Sequence, residues 1–149
     1  MRDMASTKQV KRVISPQNNT DDAAIVGQII DHQGFDAATY LILLGSVGAV
    51  VQTGTVLLQE SDDSGMSGAT SVADEDMVSQ TPGTAPETAA AFNQGDDNEV
   101  RRVGYIGTKR YTRLTVTPAS GGSPSLDTYI AACCILEKAA HLPITQASS

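Results

Sequence analysis

Few side chains in this sequence are equipped for chemistry, and their spacing limits what they can do. His32 and His141 lie far apart, each beside a turn or a proline and without a partner at metal-ligand spacing. Both read as loop or surface residues. Cys133 and Cys134 are adjacent, which is neither the C-x-x-C of redox and zinc sites nor a spacing that closes a disulfide on itself. Successive strand residues face opposite ways, so one thiol is expected in the core and the other against a partner or a second layer. An interchain disulfide through Cys133 or Cys134 remains open. The carboxylates Glu60, Asp62 and Asp63, followed by Asp74, Glu75 and Asp76, are hard oxygen donors of the kind that bind calcium. The order "ESDDSG" departs from the D-x-[DN]-x-[DN]-G loop, and a solvated hairpin end is the simpler reading. "GDDNE", residues 95–99, reads as a turn whose side chains bond their own backbone. The chain contains no phosphate-binding G-x-x-x-x-G-K-[ST] loop and no nucleophile elbow, and "GSVGAV" follows no βαβ pattern. No catalytic residue, cofactor or metal is expected, and an enzyme is the least expected class.

The densest chemical feature is basic. "RRVGYIGTKRYTRLTVTP", residues 101–118, holds Arg101, Arg102, Lys109, Arg110 and Arg113, half of the ten lysines and arginines in a chain of net charge −7. On two antiparallel strands with a turn near "GTKR", these charges do not form a stripe. Arg101 and Arg102 face opposite ways, and Lys109 and Arg110 sit at the hairpin end. Tyr105 and Tyr111 are too few for a base-stacking platform, and the acidic balance opposes a polyanion. Direct nucleic-acid binding is not expected. The basic residues, with Lys11 and Arg12 near the N-terminus, are expected to pair with carboxylates of this chain or of a neighbour, and Tyr105 and Tyr111 to anchor packing.

The elements that carry these residues are short and rich in β-branched side chains. At 149 residues the chain suits one domain with a genuine core. That core must be aliphatic, because Trp is absent and the aromatic residues are two Phe and four Tyr. Segments "QVKRVIS", "AAIVGQIID", "ATYLILLGSV", "GTVLLQES", "EVRRVGYIG", "RYTRLTVTP" and "DTYIAACCILEK" are separated by Gly/Pro/Ser/Asp-rich stretches at 15–22, 60–88 and 117–125. This is the pattern of an antiparallel sandwich or barrel. Leu114 and Val116 should point inward, as should one of the pairs Val56/Leu58 and Leu57/Gln59. "TYIAACCILE" is apolar on both faces, so it should be a central covered strand or one between subunits. Short helices are predicted over 70–80 and 86–94. The domain organisation expected is an arm with the first strand (1–15), a β-sandwich (16–140) with a long loop (61–98), and a tail (141–149). The longest apolar run, Tyr40 to Val51, is far below the roughly twenty residues of a membrane helix. The first residues lack a secretory-type apolar segment, so synthesis in a reducing compartment is the default.

Over about Val10 to Pro143, and most specifically in "QESDDSG" and "RRVGYIGTKRYTRLTVTP", the sequence resembles a family of small proteins from the structural gene clusters of tailed bacteriophages and prophages. The resemblance implies an all-β, jelly-roll-like sandwich located in the virion. It implies a capsid decoration or cement protein that contacts the major capsid protein and copies of itself, or alternatively a neck, collar or head–tail connector component. It supplies no catalytic residues and no membrane association. A long Gly65–Asn98 loop and the adjacent cysteines depart from the family pattern; in the extracellular particle, Cys133 or Cys134 could cross-link. A host-surface carbohydrate-binding module is a further alternative, against which the lack of Trp counts.

Overall fold

Alternation of apolar and polar side chains along each strand dictates a two-layer architecture. The computed structural model describes residues 3, 5–48, 53–120 and 127–141. In it the strands are β1 (Gln9–Asn19), β2 (Ile25–Asp31), β3 (Phe35–Leu44), β4 (Thr53–Ser61), β5 (Thr70–Ser71), β6 (Met77–Ser79), β7 (Val100–Tyr105), β8 (Tyr111–Ala119) and β9 (Thr128–Ala139). The first sheet runs β1-β9-β3-β7-β6 and the second β2-β8-β4-β5. Every strand pair is antiparallel.

The order of pairing defines the fold. Strands β1 and β9, β2 and β8, β3 and β7, and β4 and β5 pair in nested fashion, as though one long hairpin had been rolled into two sheets. The lateral pairs β9–β3 and β8–β4 close each sheet. This is a jelly-roll sandwich. Leu114 and Val116 point into the shared core as the alternation predicts, and of the two faces of β4 it is Val56 and Leu58 that point inward, alongside Tyr40, Ile42, Val103, Ile130 and Leu136. Burying each such side chain contributes on the order of 1.5–3 kcal/mol.

Several local expectations are corrected. The stretch Ser15–Asp22 was expected to be a turn, but β1 continues through it to Asn19, absorbing Pro16 by register shifts on an edge strand, where a proline is tolerated. The segment 70–80 is not a helix. It holds β5, a single 3-10 turn at Asp74–Asp76, and β6, because Val72 and Met77 reach the core from extended backbone at either side of that turn. The helix expected over 86–94 is the single turn α1 (Pro86–Ala90). The segment expected as a long loop is therefore structured, and most of the expected tail (142–149) lies outside the described residues. The turn between β2 and β3 needs Gly34: the Phe35 N–H donates to the His32 carbonyl at 2.9 Å, and Gly34 takes φ +88°, which a side chain would strain.

Residues 62–99 seal one side of the sandwich. Strand β5 extends the second sheet and β6 the first, so the chain crosses from one layer to the other. The outer edge of β4 is occupied in turn by β5, by Glu87 Oε1 accepting from the Leu58 N–H at 2.6 Å, and by a two-way backbone pair between Gly54 and Phe92. Covering an edge in this way removes a template for unwanted strand addition. The far end of the Phe92 ring packs against Gly54, where a Cβ would come within 2.2–2.5 Å of it. Gly54→Ala is expected to cost about 2–3 kcal/mol by overpacking, and Phe92→Ala about 3–5 kcal/mol by cavity formation. In urea unfolding, the double variant should lose less than the sum of the two, because the clash that Gly54→Ala creates disappears with the ring.

Candidate functional site

The basic hairpin comes first because the sequence points to it. Strands β7 and β8 flank a turn at 106–110, and Arg101 and Arg102 do face opposite ways, as expected. Arg101, on the inner side, bridges Asp96 and Glu99 at 2.7 and 2.9 Å. Lys109 pairs with Asp62 at 2.5 Å. Arg110 grips both oxygens of Asp31 at 2.9 and 2.8 Å, donates to Gln33 Oε1 at 2.6 Å, and lies 5.0 Å over the Tyr111 ring. That two-point contact holds the Asp31 carboxyl below its ordinary range. Arg113 donates to Gln59 on neighbouring β4 at 2.9 Å. Arg12 reaches across the open edge to β2, where the Gln28 amide accepts from its guanidinium at 3.1 Å and donates to its carbonyl at 2.9 Å. Three of the five basic residues in the hairpin are thus neutralised by carboxylates of the same chain. Arg102, exposed on β7, and Lys11, half-buried on β1, make no ion pair among the described residues.

Tyr105 is a core residue rather than a surface anchor, at 1% exposure. Its hydroxyl donates to Glu60 Oε2 at 2.8 Å and accepts from the Lys109 N–H at 2.9 Å, tying the hairpin turn to β4. Burial, reinforced by Glu60, pushes its phenol above the usual range. Tyr111 is half-buried. Cys134 faces the core at 0% exposure, out of reach of another chain, whereas Cys133 faces outward and is partly exposed. The adjacent thiols therefore divide between core and surface, as strand alternation requires.

His32 is not the loop residue its context suggests. It is 6% exposed, its Nε2 lies 2.6 Å from Thr112 Oγ1, and its ring stands 4.9 Å from that of Tyr105. Thr112 Oγ1 also shares a hydrogen bond with the Tyr40 hydroxyl, which contacts Cys134 Sγ. The spacing of single residues carries no trace of this chain, because its members come from four strands or strand ends. The acidic cluster stays dispersed at hairpin ends: Asp63 Oδ1 accepts from the Gly65 and Ser67 N–H groups, while Asp74 and Glu75 are exposed. Among the described residues no group of three or more His, Cys, Asp or Glu side chains could hold a metal ion.

A surface that single-residue inspection missed lies on the outer face of the first sheet. Cross-strand register places its side chains in rows. Arg12, Cys133, Leu41 and Arg102 form the central row, Val10, Ile135, Thr39 and Gly104 flank it on one side with Val78 beyond, and Ala131, Leu43 and Val100 lie on the other. Tyr129 projects further along β9. Val10, Leu43, Val78, Val100 and Tyr129 are 41–56% exposed, an apolar concentration that scattered surface residues do not produce. The outer face of the second sheet is mixed: Thr53, Thr55, Gln59, Arg113, Thr115 and Thr117 stand beside exposed Val26 and Ile29 and half-buried Leu57. The two-sided apolar character of "TYIAACCILE" was the legible signal.

No protein-family model matches the chain, and no curated relative matches it in sequence. The PBSX exported protein XepA shares its fold: TM-score 0.53 at 12% identity, covering 94% of this chain. This chain spans 41% of the length of that protein. A chain from a structure described as "Bacillus endospore appendages form a novel family of disulfide-linked pili" superposes with TM-score 0.41 at 12% identity, covering 93% of this chain and 96% of its own.

The buried histidine has a measurable consequence. Burial holds the His32 imidazole down at about 4, against a weaker upward pull from Asp31. The groups facing it are Thr112, Tyr105 and the Asp31–Arg110 pair. Because the unfolded chain takes up this proton near pH 6.5 and the folded chain only near 4, stability is full above 6.5 and falls as pH drops toward 4. The loss should approach about 3 kcal/mol. Denaturant melts across this window should show the slope in wild type and a much flatter one in His32→Gln.

Proposed function

We propose that this protein is a structural component of a tailed-phage particle that decorates or cements the capsid shell. Its role is mechanical: it buries surface against the major capsid protein and against copies of itself. The observation that carries this reading is the jelly roll with one outer face left apolar, a scaffold used by viral capsid domains and a surface suited to burial rather than catalysis. The likeness of "QESDDSG" and "RRVGYIGTKRYTRLTVTP" to small virion proteins supports it, as does the fold shared with an exported protein of PBSX. Localisation in the virion follows from the same reading.

In this role the hairpin cations brace the protomer, and affinity for the shell comes from apolar contact and main-chain pairing. Particles assembled without the protein are expected to lose genome at lower temperature and under milder osmotic shock than complete particles. Equal tolerance would overturn the cementing role. Imaging should place copies over the shell, and a single ring at the neck would reassign the protein to the connector.

A further inference from the structure

Among the described residues nothing covers the apolar face of the first sheet, and its shape and charge select an occupant. We infer that it packs against the same face of a second copy of the chain, as a two-fold symmetric sheet-on-sheet dimer.

Size is the first argument. Strands of 3 to 12 residues, about 4.8 Å apart and rising ~3.3 Å per residue, together span roughly 650 Å² in projection. With side-chain relief this approaches the ~800 Å² per partner of a standard stable interface. Shape is the second. Tyr129 stands out from one end of the face, half exposed. At the other end a depression of about 260 Å³ opens above Gly104, lined by Thr39, Val78, Arg102, Ile106 and Glu137. Gly104 has no side chain to fill it, and a Cβ there would come within 2.8 Å of Val78. Tyr129 and Gly104 lie on opposite sides of the Cys133–Leu41 row, about 13 and 7 Å from it along the strands. A two-fold axis along that row brings the Tyr129 of each copy to the depression of the other. The lateral offset of one to two strands is of the size produced by the ~30° crossing of packed sheets.

Charge fits the same arrangement. The middle of the face is uncharged, and the Arg12 guanidinium at one end of the central row is turned away to Gln28. Arg102, which has no carboxylate partner among the described residues, lines the depression, where an entering tyrosine ring offers it a cation–π contact. Tyr and Arg at the centre of a buried patch are typical binding hot spots.

The test uses the isolated full chain, so it is independent of the capsid reading. Sedimentation equilibrium should find a dimer at about 100 µM, a concentration that reveals even micromolar affinity. Tyr129→Ala should raise the dissociation constant about tenfold or more. Leu43→Asp should abolish the dimer, and Thr117→Asp on the opposite face should leave it intact. A short bis-maleimide should join two copies through Cys133, and Cys133→Ala should not be joined. A monomer at this concentration would overturn the proposal. So would a dimer that ignores Tyr129→Ala and is not joined through Cys133. Tyr129 is exposed, so its variant decides the matter even if Leu43→Asp fails to fold.

Discussion

At Thr112 the two sheets meet through buried polar atoms. Its hydroxyl stands on β8 of the second sheet and bonds both His32, at the end of β2, and Tyr40, on β3 of the first. Tyr40 in turn contacts Cys134 on β9. In a mainly apolar core, a buried imidazole or hydroxyl that lost its partner would cost about 1–3 kcal/mol, so sliding the layers past one another means breaking these hydrogen bonds. Apolar packing supplies most of the stabilisation but tolerates many arrangements. The hydroxyl chain selects one.

The same logic governs the open side. The second sheet would end at β4 with unpaired backbone groups, and residues 62–99 supply partners of three kinds: a short strand, a side-chain carboxylate and a single residue bridge. Glu87 is the most telling. Burial raises its carboxyl while the Leu58 N–H pulls it back down, so it does as a side chain what a strand would do with a carbonyl. Gln80 works likewise on the first sheet, accepting from the Arg102 N–H at 2.9 Å and donating to the Ala89 carbonyl at 2.7 Å. Both edges are closed without a long strand.

How much of this the sequence discloses depends on the range of the interaction. Alternation is local, so the strands, the inward pair Leu114/Val116, the opposed faces of β4, the opposed Arg101 and Arg102 and the divided cysteines are all legible. Edge pairing is not local. The segment 70–80 has residues fit for a helix, but β4 and β7 offer it backbone partners that no composition reveals. His32 was misread for the same reason: its burial depends on Thr112 and Tyr105, eighty and seventy-three positions away. The apolar outer face was half legible, since β9 shows two apolar faces, but the rows that join it to β1, β3 and β7 exist only in register.

The pairing of the basic hairpin decides what kind of surface the protein presents. Arg101, Lys109 and Arg110 are bound to Asp96 and Glu99, Asp62 and Asp31, so the positive charge that looked available for a polyanion is spent within the chain. Internal pairs leave the net charge of −7 unchanged while removing most of the local positive patch. The long-range field is therefore acidic on average. The two outer faces are unequal: the first sheet carries the denser apolar rows, with Val10, Leu43, Val78, Val100 and Tyr129 exposed, while the second mixes Val26, Ile29 and Leu57 with threonines and Arg113.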